Sequence, residues 1–299
     1  MALLLAISAD AWAQTSDGLE NGFDAIQQVE QGLALDADPG PPLEAAFDRH
    51  FGRVSTHALD RLSDADLGAF FSASDTLVFY TSEHEYLDRV EAAFQELQSR
   101  GRETPFDVQT LFKDYVKFRE FEPARRLALL YPDVELEELP RTVEAATEFE
   151  GPTVLELVGN DEVSRVAAGV PKEGPYVVVA GHPLCHFSDN AVRAIREDPE
   201  VAALFKGRTL WLMPQDRYIN LETVRDWNRE FPDYAMRWAY QTSDWPMIKR
   251  WATPNFYFYR DGTLVETVIG WPEEGQRDAL LAAFAKIGVV PEAADQRSR

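Results

Sequence analysis

The chain of 299 residues holds one sulfhydryl, Cys185, in the stretch Tyr176-Val-Val-Val-Ala-Gly-His-Pro-Leu-Cys185-His-Phe-Ser188-Asp-Asn-Ala. A continuous apolar run, a short Gly/Pro loop and a polar start predict a buried strand, a turn and the opening of a helix. Cys185 falls at that opening. Backbone N–H groups and the positive end of a helix dipole stabilise an anion there, so the thiolate is favoured and the thiol pKa lowered. Ser188, one turn on, can donate a hydrogen bond to the thiolate. It cannot form the intramolecular disulfide that releases a mixed-disulfide adduct. With one cysteine, no internal disulfide is available to the chain at all. His182 and His186 flank the sulfur and would raise its thiolate content if cationic, or move protons if neutral. A metal held by Cys185, His182 and His186 would draw three ligands from five positions of one loop with no fourth in view, so neither a metal nor any other cofactor is expected.

A second segment reads Thr253-Pro254 directly ahead of an apolar strand over residues 255–259, with Asp261-Gly262 as a hairpin turn and Gly270 beyond it. Together the two segments resemble the thioredoxin superfamily, with Cys185-His186-Phe187-Ser188 in the place of its Cys-x-x-Cys motif and Thr253-Pro254 in the place of its cis-proline. The resemblance covers residues 151–288. It implies a thioredoxin-like sandwich in which Pro254 is cis and faces the cysteine, and in which Thr253 offers its backbone to an extended peptide. Thr253, Pro254, His182 and Leu184 are therefore the candidate substrate contacts, and Cys185, Ser188 and His186 the candidate catalytic group. Three positions depart from the superfamily pattern. Ser188 replaces the resolving cysteine, Leu184 replaces the tryptophan common before the first cysteine, and Val179 stands where many thioredoxins have a buried aspartate. The competing reading of Pro254 is the start of an edge strand.

The elements that must position these residues follow from hydrophobic period. Residues 153–158 and 163–170 read as short strands around the turn Gly159-Asn160-Asp161, residues 176–180 as a central strand, and residues 190–195 as the helix after the motif. Residues 209–213 form another buried strand, residues 222–251 read as a lengthened helix, residues 255–259 and 264–269 as a strand pair, and residues 276–287 as a closing helix. A βαβ unit followed by helix, antiparallel hairpin and helix is an α/β order. Six tryptophans, at 211, 227, 238, 245, 251 and 271, fall in this half and are assigned to its core.

From Leu43 to about Leu139 apolar residues recur at helical spacing, as in Leu87, Val90, Phe94 and Leu97. Ser63 ahead of Asp64 and Asp66 is an N-cap signal, and Gly101 a helix stop. Two helical hairpins, over residues 75–97 and 114–134, are weakly similar to tetratricopeptide-type repeats but fall short of the roughly three copies such arrays need. The fold class is thus α/β, a thioredoxin-like sandwich preceded by an all-α helical-hairpin domain at residues 43–140. Residues 14–42, with Pro39-Gly40-Pro41-Pro42, read as a linker or flexible arm, and residues 289–299 as a flexible tail. His50, His57 and His84 have no acidic or thiol partner at a recognisable spacing and read as structural or surface residues.

Charge excludes one large class of function. The net charge is -22, of which residues 1–150, with 12 basic and 30 acidic groups, hold -18 and the remainder -4. Such a surface repels phosphate backbones, so nucleic acid is not an expected partner. No run approaches the roughly 18 apolar residues of a membrane span. The apolar run at Ala2–Ile7 and Ala11-Trp12-Ala13 predict an export signal over residues 1–13, and hence a periplasmic or secreted protein, although no basic residue precedes the run.

Two functions fit these residues. One is a monothiol thiol-disulfide oxidoreductase, in which Cys185 attacks a protein or glutathione disulfide and an external thiol resolves the adduct. The other is a non-catalytic binding module or chaperone-like adaptor, with a protein partner held through the helical domain or beside Pro254.

Overall fold

The computed structural model of the protein describes residues 18–34, 38–143, 148–248 and 251–291. Contacts divide the chain into two compact units, residues 1–137 and 138–299. The expected export signal and tail residues 292–299 lie outside the described residues.

The first unit is built from α1 (Leu19–Gln31), α2 (Gly40–Phe51), α3 (Asp64–Tyr80), α4 (His84–Ser99), α5 (Pro105–Lys117) and α6 (Phe121–Leu130). The helix α3 is apolar on most of its circumference, burying Leu67, Phe70, Phe71, Leu77 and Val78, and it packs against α1, α2, α4 and α5. Its N-cap is Ser63, whose Oγ accepts from the Asp66 N–H at 3.1 Å. At its other end Lys117 Nζ donates to the carbonyls of Val78 and Phe79 at 2.6 and 2.7 Å, satisfying acceptors that the helix leaves over. Gly101, at φ 63°, ends α4, with the Arg102 N–H returning to the Leu97 carbonyl at 2.9 Å. The two expected hairpins are the pairs α3–α4 and α5–α6, which begin about a helix half earlier than the apolar spacing indicates.

Two expectations are corrected in this unit. Residues 14–42 are not a linker throughout, because α1 occupies Leu19–Gln31 and α2 begins at Gly40. The Pro41-Pro42 pair stands in the first turn of α2, where a missing N–H costs no hydrogen bond and a fixed φ suits the helix. His84 does have acidic partners: Nε2 lies 2.6 Å from Glu120 and Nδ1 3.3 Å from Asp88. Asp88 is four residues on, the helical spacing for an ion pair.

The second unit carries an eight-stranded mixed sheet of β1 (Arg141–Val143), β2 (Thr153–Val158), β3 (Glu162–Ala167), β4 (Pro175–Ala180), β5 (Thr209–Met213), β6 (Met236–Ala239), β7 (Asn255–Arg260) and β8 (Thr263–Ile269), in the order β1-β3-β2-β6-β5-β4-β7-β8. Between them run α7 (His186–Glu197), α8 (Pro199–Phe205) and α9 (Leu221–Glu230), and α10 (Arg277–Lys286) closes the chain. The strand β4 is interior, parallel to β5 and antiparallel to β7. Burial on both faces explains its unbroken Val-Val-Val-Ala run. One face packs Val178, Ala180, Leu210, Leu212 and Tyr257 with Trp245. On the other, Trp211 and Phe256 meet with centroids 6.3 Å apart, and Phe205 meets Phe284 at 4.9 Å.

The helix expected over residues 222–251 is also corrected. It ends at Glu230, two residues before Pro232, and residues 236–239 form β6 between β2 and β5. Proline cannot donate within a helix and clashes with the preceding turn, so the segment breaks there. Trp238 then anchors β6, fully buried, with its Nε1 donating to the Ile219 carbonyl at 2.9 Å. Trp211, Trp227, Trp238, Trp245 and Trp271 are buried, and Trp251 packs partly buried against the core, as their size suggests.

Candidate active site

The strand β4 leads into a loop held by its own hydrogen bonds. Gly181 donates to the Leu212 carbonyl at 3.0 Å, and a Cβ at this position would press on Met236 and Trp211 at 3.1 and 3.2 Å. The His182 N–H donates to Ser188 Oγ at 3.3 Å, and His182 Nδ1 accepts from the Leu184 N–H at 3.2 Å. The ring proton of neutral His182 therefore sits on Nε2. Burial pushes the His182 pKa down, opposed by the nearby Asp216 carboxylate, so the imidazole is held neutral.

Cys185 is the N-cap of α7. Its carbonyl accepts from the N–H groups of Ser188 and Asp189 at 2.9 and 3.1 Å, while its side chain is half-buried. Its Sγ lies 3.3 Å from the carbonyl oxygen of Thr253, and the Thr253–Pro254 peptide bond is cis. Two opposing effects act on the thiol. Burial disfavours the anion, and the Thr253 carbonyl can only accept, which favours the protonated form. The hydroxyls of Thr253 and Ser188 and the N–H groups of Ser188 and Phe187 favour the thiolate, and these donors win: the Cys185 pKa lies below its ordinary value.

The structure thus brings Cys185, Ser188, His182, Thr253 and Pro254 to one place. Ser188 is fully buried, linked to the loop through the His182 N–H. Leu184, next to Cys185 in the chain, has 64% of its surface exposed. His186 is not brought to the sulfur by a hydrogen bond; its exposed ring lies against the Phe187 ring, with centroids 3.8 Å apart. No group of three residues suited to holding a metal occurs among the described residues.

Sequence reasoning passed over the wall of the site. An open cavity of about 530 Å³ adjoins Thr253 and Pro254 and is bounded by Phe187, Ile269, Trp271 and Pro272. Asn255, buried at the start of β7, fixes that wall: its Oδ1 and the Pro254 carbonyl both accept from the Gly270 N–H, at 3.1 and 2.9 Å. The available signal is a tryptophan directly after a turn glycine at the end of an edge strand, in Gly270-Trp271-Pro272; its ring is buried against Phe256 and so closes the wall from the core side.

No protein-family model, curated protein or solved structure matches the chain. Among the described residues no helix is long and apolar enough to cross a membrane.

Proposed function

We propose that the second unit is a thioredoxin-like domain and that Cys185 is the nucleophile of a monothiol thiol-disulfide oxidoreductase. The observation that carries this reading is the placement of one half-exposed thiol at a helix N-terminus, with its pKa lowered, 3.3 Å from the Thr253 carbonyl ahead of Pro254. The interior strand before the motif, the helix after it and the β7–β8 hairpin that follows Pro254 support it as well. The step is a balanced exchange. Cys185 Sγ, as thiolate, attacks one sulfur of a disulfide; a new S–S bond forms, the old one breaks, and the departing sulfur leaves as a thiolate that takes a proton from solvent. Ser188 cannot attack the adduct, so a second thiol from solution displaces the bound group and regenerates Cys185. Lowering the thiol pKa raises the fraction of attacking anion near neutral pH.

The test is incubation with an aromatic disulfide reagent under non-reducing conditions. One adduct per chain is expected on Cys185, formed faster than on free cysteine at the same pH and persisting until thiol is added. Adduct formation no faster than that of free cysteine overturns the reading.

The exposed side chains of Leu184 and Phe187, at 64% and 44%, favour a second reading in which the same surface only binds a protein. A Cys185→Ser variant separates the two. Loss of disulfide-linked partners supports the oxidoreductase, and retention of every partner supports the binding module.

A further inference from the structure

Resting on the oxidoreductase reading, we infer that the site is built for polypeptide disulfides with a large apolar side chain beside the half-cystine and a basic residue next to it, and that it discriminates against glutathione. The cavity of about 530 Å³ next to Thr253 is lined by Phe187, Pro254, Ile269, Trp271 and Pro272 among others, with no charged residue among its described lining. A recess of about 300 Å³ shares Phe187, Trp271 and Pro272 with it and adds Glu273, an exposed carboxylate. Trp271 is therefore common to both spaces, and its ring packs on Phe256 with centroids 6.0 Å apart. A third cavity beyond Trp271 contains Arg277, but that guanidinium is already engaged with Asp198 at 2.7 Å and with Glu200.

Glutathione carries two carboxylates and one ammonium, so it needs cationic or N–H partners away from its sulfur. The two cavities that adjoin the motif hold no Lys or Arg among their described lining: they offer indole, phenyl and proline surface, the carboxylate of Glu273, and as donors the His186 imidazole and the amides of Asn190, Asn255 and Gln276, too few to neutralise two carboxylates. A neutral or cationic peptide loses less there: its apolar side chain leaves water against the exposed Phe187 and Ile269 at the Trp271 wall, and a lysine or arginine meets Glu273. Residues 151–299, with a net charge of -4, add a weak field of the same sign.

Three probes with the same aromatic thiol leaving group test this on the full chain. These are a peptide with Phe and Lys flanking its half-cystine, a peptide with Ser and Glu there, and glutathione. Rates of adduct formation at Cys185 are expected to fall in that order, with about tenfold or more between the first and the last, the scale of one good apolar contact. Trp271→Ala narrows the ratio between the two peptides. Because that variant also loses contact with Phe256, exposed Glu273→Gln serves as the second: it narrows the Phe/Lys peptide's lead over glutathione, and added salt does the same to the native protein. Equal rates for all three probes overturn the inference while leaving the oxidoreductase reading standing. Failure of every probe to react overturns that reading itself.

Discussion

The sulfur of Cys185 and the carbonyl oxygen of Thr253, 68 positions apart in the chain, lie 3.3 Å from each other. That contact suits the thiol, which can donate to the carbonyl, and not the thiolate, which cannot. The anion is rescued by other donors, the Thr253 hydroxyl among them. Thr253→Val keeps the branched shape and removes the hydroxyl, so the Cys185 pKa is expected to rise. Thiolate absorbance titrated against pH reads this directly, and an unchanged midpoint would remove Thr253 from the group that tunes the sulfur.

Ser188 has two tasks that separate by substitution. Its Oγ accepts from the His182 N–H at 3.3 Å and helps hold the thiolate. Ser188→Ala leaves a partly buried N–H without that partner, at a cost of about 1 kcal/mol in chemical denaturation, and raises the thiol pKa. Ser188→Cys places a second sulfur one helical turn from the first. The adduct on Cys185 is then expected to discharge without added thiol, leaving an intramolecular disulfide visible by mass.

Asp198 begins α8, accepting from the N–H groups of Glu200 and Val201 at 3.0 and 3.1 Å, and pairs with Arg277 at 2.7 Å. Burial opposes its ionised form, but Arg277 and the two N–H groups outweigh it, so its pKa is lowered. The stabilisation it gives is fully present above its unfolded pKa, about 3.9, and is lost as pH falls through the lower folded value. Asp198→Ala is expected to cost about 1 kcal/mol at neutral pH, the usual worth of an N-cap, measured by urea unfolding. The difference from the native protein shrinks as pH falls below about 3.9.

The opposite sign holds for His84. Burial lowers its pKa, yet Glu120 and Asp88 raise it more, and the net shift is upward. Its contribution is complete below the unfolded value of about 6.5 and disappears as pH rises through the folded one. Stability of the native protein relative to His84→Ala should therefore fall as pH rises above about 6.5, in denaturation midpoints followed at several pH values. A flat difference across that rise contradicts the pairing.

Much of the α/β unit is legible from the sequence, because runs such as Val177-Val178-Val179-Ala180 and Thr209–Met213 are too short for helices and too apolar for loops. The lone cysteine and Thr253-Pro254 could likewise be marked in advance, since each is defined by a few local residues. Other features resist such reading for physical reasons. β6 is four residues long and is a strand because β2 and β5 flank it, a tertiary cause that periodicity does not carry. The α1 segment, rich in Gln and Glu, shows only Leu19, Phe23, Ile26 and Val29 as a helical stripe. Trp271 is buried as its size suggests, but that it also lines a cavity beside Pro254 depends on where the hydrogen bonds of Gly270 make the chain leave β8. His186 sits next to the cysteine in sequence, but that adjacency does not fix where its exposed ring lies, which is against Phe187.

The proposed exchange depends most on the ionisation of one sulfur. Cys185 is the chain's sole thiol, so its thiolate absorbance and its alkylation rate can be followed across pH without interference from a second one. Both midpoints are expected to coincide below the ordinary thiol value of about 8.5. A midpoint at or above that value would show a cysteine that the helix start and the Thr253, Ser188 and Phe187 donors fail to activate, and would contradict the proposed exchange chemistry.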